Sequence, residues 1–216
     1  MKRVAVLFLF SLVAFPVVSR AQMIRGWGIE GGVSGGYQII TITSGASATA
    51  VPRAIRWGFT AGAFLEFLNM PTLSLVLESA YAQQGRRVTA EEIARSGAGT
   101  GGISPGPEGE TPRLDYVHLS MLVKMRAGRN GFVPYAAIGP RFAFLVGRGE
   151  DPSHVLDNYK KSDVGVIVAA GIEIVPRRQP VVSLEGRWSP SFSHAFSVPT
   201  LTIRNQSVDI LIAVWL

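Results

Sequence analysis

The chain has 216 residues, enough for one domain with a substantial buried surface, and no linker divides it. Hydrophobic residues make up 47% of the chain, yet no stretch after the first twenty residues is apolar for long enough to span a bilayer as a helix. The absence of cysteine excludes disulfides, thiol catalysis and cysteine-based metal sites. Of the net charge of +6, Lys2, Arg3 and Arg20 supply three, so the remaining excess does not favour a nucleic-acid partner and we predict none.

The first 21 residues have the organisation of a secretory signal peptide. Lys2 and Arg3 precede an apolar run over residues 4–15, and a small residue, Ala21, stands where a signal peptidase would cleave. A retained membrane anchor is the alternative, but the run is short against the roughly 20 residues that a spanning helix needs. The sequence therefore predicts export, with residues 1–21 as the signal peptide.

The remaining chain repeats an alternation of apolar and polar residues with a period of two, which is typical of β-strands with one apolar face. The first segment sets Trp27 and Ile29 against Glu30, and seven further segments follow. Each is about nine to twelve residues long, which is the length that a tilted strand needs to cross a bilayer. The fifth segment is the least regular, because Pro134 and Pro140 cannot donate to a strand ladder. The apolar positions of the later segments include Trp57 and Phe59, Leu75 and Leu77, Leu119 and Met121, Phe142 and Phe144, Val166 and Val168, Leu184 and Trp188, and Ile210 and Ile212.

The connections between these segments alternate strictly between short and long. The short ones are near residues 69–72, 127–131 and 176–180. The long ones run over residues 39–55, 85–113, 147–161 and 189–205. Outer-membrane barrels have this asymmetry, with periplasmic turns and long extracellular loops. The pattern predicts an all-β, eight-stranded antiparallel up-and-down transmembrane β-barrel over residues 22–216, with both chain ends in the periplasm.

Alternation alone does not decide which face points inward, so a soluble periplasmic lipocalin-like barrel with an apolar interior is the alternative fold. The polar face carries charges of both signs, as expected of a narrow interior that neutralises itself, and aromatic residues near strand ends on the apolar face are typical of a membrane girdle. Those aromatic residues are Trp27, Trp57, Tyr81 and Trp188. The predicted luminal polar network, structural in role, consists of Glu30, Glu78, His118, Lys124, Arg141, Asp163, Glu173, Glu185, Arg187 and Asp209.

Several short blocks of the sequence resemble those of a known family. They cover residues 58–64, 77–81 with 84–85, 114–117, 134–135 with 139–140, 171–173 and 183–187. In composition and order they are similar to the outer-membrane β-barrel domain family, whose small members are called porin-like or PorT-like. The resemblance implies an eight-stranded barrel in the cell outer membrane and implies little about activity.

The C-terminal segment departs from the usual pattern of that family. Such barrels usually end in an aromatic residue that the assembly machinery reads, whereas here Trp215 is penultimate and Leu216 is last. Leu216 shares the lipid-facing phase of Ile210, Ile212 and Val214. The alternation therefore predicts an outward Leu216.

An eight-stranded barrel has an interior that side chains fill, so a wide diffusion pore is not expected. We predict a non-enzymatic barrel without cofactor, metal or catalytic residue, whose scaffold and long loops serve envelope integrity or surface contact. Its expected partners are outer-membrane lipids, the barrel-assembly machinery during biogenesis, and an extracellular or envelope partner at the loops, above all residues 89–112. A narrow porin-like channel for small solutes or ions is the alternative.

A lipid A-modifying enzyme is a further alternative, which would need a histidine with serine or aspartate near the outer rim. The sequence fixes no base against a nucleophile there. His118 is interpreted as a hydrogen-bonded luminal residue, because no second metal ligand shares its segment. The candidates for the enzyme are Asp151, Ser153 and His154 in one loop, and Ser191, Ser193 and His194 in the next.

Overall fold

The structure, a computed structural model, describes the chain from residue 24 onward with several gaps. The described residues are 24–44, 47–52, 54–68, 70, 72–87, 113–128, 131–149, 160–176, 181–193, 196–198 and 201–216. The predicted signal peptide and all of residues 89–112 lie outside them. Among these described segments there is no helix long and apolar enough to cross a membrane.

Strands of the described segments pair antiparallel throughout. They are β1 (Ile24–Ser44), β2 (Ser47–Pro52), β3 (Ala54–Phe67), β4 (Leu73–Arg87), β5 (Arg113–Arg126), β6 (Gly131–Arg148), β7 (Ser162–Val175), β8 (Val182–Pro190), β9 (Phe196–Val198) and β10 (Leu201–Trp215). Their order in the sheet is β2-β1-β3-β4-β5-β6-β7-β8-β10-β9, and β1 also pairs with β10. That pairing closes eight strands into a barrel, while β2 pairs with β1 and β9 with β10 beyond the ends of β3 and β8. The predicted eight-stranded antiparallel barrel is confirmed.

Two of the predicted long connections are largely strand. The chain over residues 39–55 continues β1 to Ser44 and returns as β2, and β10 already begins at Leu201. The reason lies in the β-branched run Ile-Ile-Thr-Ile-Thr at residues 39–43, which favours strand and pairs with β2 on one side and β10 on the other. The prediction of loops at residues 39–55 and 189–205 was therefore wrong over these parts.

The barrel wall is apolar on its outside. In β5, buried and exposed residues alternate from Val117 to Arg126, with Leu119 and Met121 exposed. Trp57, Leu184 and Ile212 are each 57–58% exposed on other strands. A soluble barrel would bury this face, so the lipocalin-like alternative is wrong and the exposed band is the surface that faces hydrocarbon.

Both prolines of β6 fit this outward phase. Pro134 and Pro140 are exposed, and β6 runs unbroken past them. The ladder to β5 is interrupted between the pairs Ser120–Arg141 and Val123–Ile138, which is where Pro140 lacks an N–H to donate. The pairing of β6 with β7 continues through both positions and holds the strand in place.

Aromatic residues mark the two edges of the apolar band. Trp27 is 54% exposed near the end of the barrel where the described chain begins, at Ile24, and where it ends, at Leu216. Tyr37, ten residues further along β1, is about 33 Å away along the strand, or about 25 Å along the barrel axis at a tilt of about 40°. The Tyr37 hydroxyl donates to Gln206 Oε1 at 2.5 Å, and Trp188 Nε1 donates to the same oxygen at 3.4 Å. We call Tyr37, Trp57, Trp188 and Gln206 the upper girdle.

Candidate functional site

The candidate site is the polar lumen. All ten residues of the predicted network point into it and are between 0% and 9% exposed: Glu30, Glu78, His118, Lys124, Arg141, Asp163, Glu173, Glu185, Arg187 and Asp209. They face inward because they occupy the polar phase of each strand. The contacts of eight of them form three clusters, which we name periplasmic, central and outer by their place along the barrel.

Arg126 is the centre of the periplasmic cluster and joins β3, β5 and β7. Its Nε and Nη2 donate to the two oxygens of Glu173 at 2.8 and 2.9 Å, and its Nη2 also donates to Glu66. Its Nη1 donates to Ser74 at 2.8 Å. Arg25 adds β1, because its guanidinium lies 2.9 Å from Glu66 and 3.4 Å from Glu173. With Ser74 on β4, five strands of the barrel (β1, β3, β4, β5 and β7) are thus joined at one level by charge-assisted hydrogen bonds.

Lys124 and Trp215 also belong to the periplasmic cluster. Lys124 Nζ lies 2.5 Å from Glu173 Oε1 and 3.8 Å from the centre of the Tyr135 ring. Trp215 is 5% exposed, points inward and donates its indole N–H to Glu66 Oε2 at 3.0 Å. The Lys124 ammonium is therefore held by one carboxylate and by aromatic faces, since it also lies 4.8 Å from the Trp215 ring.

Arg187 is the centre of the central cluster and bridges the full width of the lumen. Its guanidinium donates to Glu30 at 2.9 Å on β1 and to Glu78 at 2.8 and 3.1 Å on β4, which is the strand opposite β8. Its Nε donates to Glu185 on its own strand. Ser120 donates to Glu78 at 2.9 Å, and the Tyr135 hydroxyl donates to Glu185 at 2.7 Å. One buried guanidinium therefore forms ion pairs with three buried carboxylates.

The outer cluster forms around Asp163. Arg141, 1% exposed, donates through Nη2 to Asp163 at 3.3 Å and to Ser191 at 2.8 Å. The hydroxyls of Ser191 and Ser193 both donate to Asp163. Val164 N donates to the Ser193 hydroxyl oxygen at 2.9 Å, so the segment after β8 is fastened to the mouth of the barrel.

His118 and Asp209 point into the lumen but make no direct bond to another residue of the predicted network. The ring of His118 lies 6.2 Å from that of Tyr116, and Asp209 accepts from Ser207 at 3.2 Å. Among the described residues, His118 Nε2 and Asp209 Oδ1 are buried atoms without a hydrogen-bond partner in the protein. The described side chains also include no group of three or more potential ligands that could hold a metal ion.

A small cavity lies between the periplasmic and central clusters. It offers about 20 Å³ to the centre of a water molecule, which is room for about one water. Its lining combines charged and apolar side chains, among them Glu30, Glu78, Lys124, Glu185, Arg187, Phe64 and Leu122. The lumen at this level is filled by side chains.

Several contributors to the network were not among the predicted ten. Glu66 and Arg126 have the inward phase of their strands, so the alternation that found the others also points to them. The phase of Leu216, which is 57% exposed, likewise turns Trp215 inward. Tyr135 also has the inward phase of its strand, which it shares with Arg141, whereas Arg25 has no such signal because it shares the apolar phase of Trp27.

The serines considered for catalysis are bound to the outer cluster. Ser191 and Ser193 both donate to Asp163, as described above. Their predicted companion His194, and Asp151, Ser153 and His154 of the other loop, lie outside the described residues. The geometry of these two serines is therefore that of a structural contact.

Comparison with known proteins agrees with this architecture. A family model described as outer membrane protein beta-barrel domain matches residues 13–197. The structure is similar to outer membrane protein OprG from Pseudomonas aeruginosa, with a TM-score of 0.50 and 9% identity over 89% of this chain and 97% of that one. It is equally similar to outer membrane protein AlkL, determined in lipid bilayers, with a TM-score of 0.50 and 10% identity over 93% of this chain and 94% of that one.

Two further results of the comparison add nothing on activity. The outer membrane protease OmpT from Escherichia coli matches with a TM-score of 0.45 and 11% identity over 89% of this chain and 96% of that one, too low a score to carry an argument. No curated protein sequence matches the chain. The similarities therefore establish the fold.

Proposed function

The chain belongs to the outer membrane protein beta-barrel domain family and resides in the cell outer membrane; from this premise we propose that it is a closed, non-enzymatic barrel that holds its long outer connections at the cell surface. The proposed role is structural support of the envelope or contact with an extracellular or envelope partner. Outer-membrane lipids and, during biogenesis, the barrel-assembly machinery are its further proposed partners.

The observation that carries this proposal is that buried ion pairs connect the strands across the lumen. Arg126 connects β5 to β3 and β7, and Arg187 connects β8 to the opposite strand β4. Both guanidinium groups are less than 10% exposed, and their carboxylate partners are buried as well. Separating one buried charge from its partners costs several kcal/mol of stability. These ion pairs therefore favour a rigid interior filled by side chains over an open channel.

The strands beyond the upper girdle support a role at the surface. β1 continues for seven residues from Tyr37 to Ser44, which is about 23 Å of strand. There it pairs with β2 and β10, and β10 pairs with β9, so four strands extend the wall past the membrane. Such hydrogen-bonded strands hold the loops in a fixed position outside the membrane. Loops are the part of a barrel that usually recognises a partner.

The engagement of both serines with Asp163 supports the non-enzymatic part of the proposal. A serine nucleophile needs a base that can accept its proton. The hydroxyls of Ser191 and Ser193 donate to the carboxylate of Asp163, which also binds Arg141. A carboxylate is a much weaker base than the imidazole that usually activates a serine. Unchanged lipid A in a strain that lacks the protein is the expected result, and altered lipid A would contradict this part.

A narrow ion channel is the second candidate, favoured by the cavity between the periplasmic and central clusters. The test is conductance of the purified, folded protein in planar bilayers at high salt. We expect no conductance steps from the native protein. Conductance steps in the native protein would refute the closed barrel. If their size changed in the variants Glu78→Gln and Arg141→Gln, but not in Arg204→Gln on the outer surface, the channel would be established.

The surface role has its own test. An epitope inserted after Gly101, in the connection between β4 and β5, should be accessible to antibody on intact cells. The same epitope inserted after Arg177, between β7 and β8, should be accessible only after the outer membrane is permeabilised. Equal access at both positions would contradict the proposed orientation.

A further inference from the structure

Buried polar atoms without a hydrogen-bond partner are concentrated in the outer half of the lumen. Within the described part of the chain, seven buried side-chain atoms make no hydrogen bond within the protein. All seven lie outward of the central cluster, and none belongs to the periplasmic or central cluster. They are Ser34 Oγ, Gln84 Nε2, Asp115 Oδ1, His118 Nε2, Arg141 Nε, Arg141 Nη1 and Asp209 Oδ1.

The buried arginines show the same contrast between the two halves. Every guanidinium nitrogen of Arg126 and of Arg187 donates to a carboxylate or to a serine. Arg141 donates through Nη2 alone, although it is 1% exposed. A buried donor without an acceptor is costly, so Nε and Nη1 of Arg141 need a partner that the described protein groups do not supply.

Four of the six residues that carry these atoms lie at one level of the barrel. They are Ser34, His118, Arg141 and Asp209, and we call them the polar layer. The strand register, followed around the ring, places this layer directly outward of Arg187. Ser34 on β1 and Arg141 on β6 lie on opposite strands of the ring, and so do His118 on β5 and Asp209 on β10. The four side chains therefore point at one another across the lumen.

Several inward positions beside the polar layer hold small residues. Thr60, Ala82, Gly165 and Ser189 are all buried there. Nearer the periplasmic end, by contrast, large rings such as that of Trp215 fill the interior. Because the same ring of strands encloses both levels, the smaller side chains leave more room in the outer half, and water occupies such room where polar groups line it.

The free atoms of the polar layer suit water better than an ion. Arg141 Nε and Nη1 can only donate, an ionised Asp209 can only accept, and the side chains of Ser34 and His118 can do either. A water molecule both donates and accepts, so a few waters can satisfy every one of these atoms. An anion would be repelled by Asp209, and a cation would be repelled by Arg141.

The contacts that cross the lumen on the two sides of the polar layer differ in kind. Outward of the layer, Asn205 on β10 donates to the Tyr116 hydroxyl on the opposite strand β5 at 3.1 Å. Inward of the layer, Arg187 donates to Glu78 at 2.8 and 3.1 Å. A hydrogen bond between neutral groups opens more readily than a buried ion pair, so the outer side is the side from which water would enter.

We propose that the polar layer binds a cluster of water molecules that exchanges with the cell-surface side and ends at Arg187. The outer half of the lumen is then a hydrated chamber, and the inner half is a closed plug of ion pairs. This proposal does not rest on the role proposed for the loops.

The test uses single cysteines, since the chain has none of its own. Ser189→Cys and Ser34→Cys place a thiol at the level of the polar layer, and Ser183→Cys places one beside the cavity of the inner half. Ser183 is the matched control for Ser189, because both point inward from β8, are 2% and 1% exposed, and lie about 20 Å apart along the strand.

Each folded variant is exposed in detergent to silver ion, which is close to a water molecule in size and binds thiols tightly. After increasing times the excess silver is removed, the protein is unfolded, and the thiols that remain free are counted by alkylation and mass spectrometry. A shift in gel mobility on boiling verifies that each variant is folded, and either outer variant alone suffices for the comparison with Ser183→Cys.

We expect silver to react with the Ser34→Cys and Ser189→Cys variants at least about a hundredfold faster than with Ser183→Cys, because reaching the inner thiol requires opening buried ion pairs. Adding His118→Leu to Ser34→Cys removes one polar atom of the layer and should slow the reaction about tenfold.

Reaction of Ser183→Cys as fast as that of the outer variants would refute a chamber that ends at Arg187, and it would refute the closed barrel as well. Equally slow reaction of all three variants, or an unchanged rate on adding His118→Leu, would refute the hydrated layer and leave the closed barrel intact.

Discussion

Replacing Arg187 by methionine tests whether the central cluster holds the barrel together. Arg187→Met keeps much of the side-chain volume but leaves Glu30, Glu78 and Glu185 without their shared cation. Removing one partner from a buried ion pair costs about 3–5 kcal/mol, and here a single change leaves three buried carboxylates uncompensated. We expect the free energy of unfolding to fall by at least about 3 kcal/mol.

The assay is urea unfolding of the refolded protein in lipid vesicles, followed by tryptophan fluorescence and by the gel mobility of unboiled samples. Lys160→Met is the control, because it removes one positive charge from an exposed side chain, and its effect should stay within about 0.5 kcal/mol. Comparing midpoints at equal slope isolates the change in stability from a change in the unfolded state.

A rescue separates electrostatics from packing. In Arg187→Met combined with glutamine at Glu30, Glu78 and Glu185, the carboxylates become neutral amides of nearly the same shape. Because a buried network replaced as a whole often costs little, the combined variant should recover most of the lost stability. The reasoning would be refuted if Arg187→Met unfolded at the same urea concentration as the native protein, or if the combined variant were no more stable than Arg187→Met alone.

Two further predictions concern the wall and its closure. Trp215→Phe should lower the free energy of unfolding by about 1–3 kcal/mol, because Glu66 loses a buried N–H donor while the ring contact with Phe64 can persist; unchanged urea unfolding would contradict the role of the indole N–H. Gly32→Ala should abolish the folded gel band, since a Cβ there would lie 1.9 Å from the Ile210 carbonyl oxygen on the paired strand. Gly31→Ala, whose Cβ would lie 3.7 Å from its nearest neighbour, should fold normally, and equal behaviour of the two variants would contradict the close approach of β1 and β10.

The fold was predictable because the bilayer imposes a period of two on every strand. A position such as Leu119 or Met121 must be apolar when it faces hydrocarbon, and its neighbour is then free to be polar. Even the irregular fifth segment followed this rule, since Pro134 and Pro140 both lie on the exposed face. What the alternation could not supply was the length of the strands, because β1 beyond Tyr37 leaves the membrane and no longer needs an apolar face.

The luminal network was predictable as a set of inward positions but not as a set of pairs. Phase places Arg187 and Glu78 inside the barrel, yet they stand 109 residues apart in the chain and meet only because β8 and β4 are opposite strands of an eight-stranded ring. The height of each side chain along the barrel axis depends on the stagger between neighbouring strands. The alternation of apolar and polar residues does not determine that stagger.

The three clusters differ in formal charge, and this difference argues for distinct roles within one closed interior. The periplasmic cluster sets Arg25, Lys124 and Arg126 against Glu66 and Glu173, an excess of one positive charge, whereas the central cluster sets Arg187 alone against three carboxylates. Opposite excess charges at adjacent levels attract each other along the barrel axis, so each cluster lowers the cost of burying the other. In the proposed closed barrel, an ion that passed from the periplasmic to the central cluster would meet first a positive and then a negative excess, so we expect the two clusters to repel cations and anions in turn.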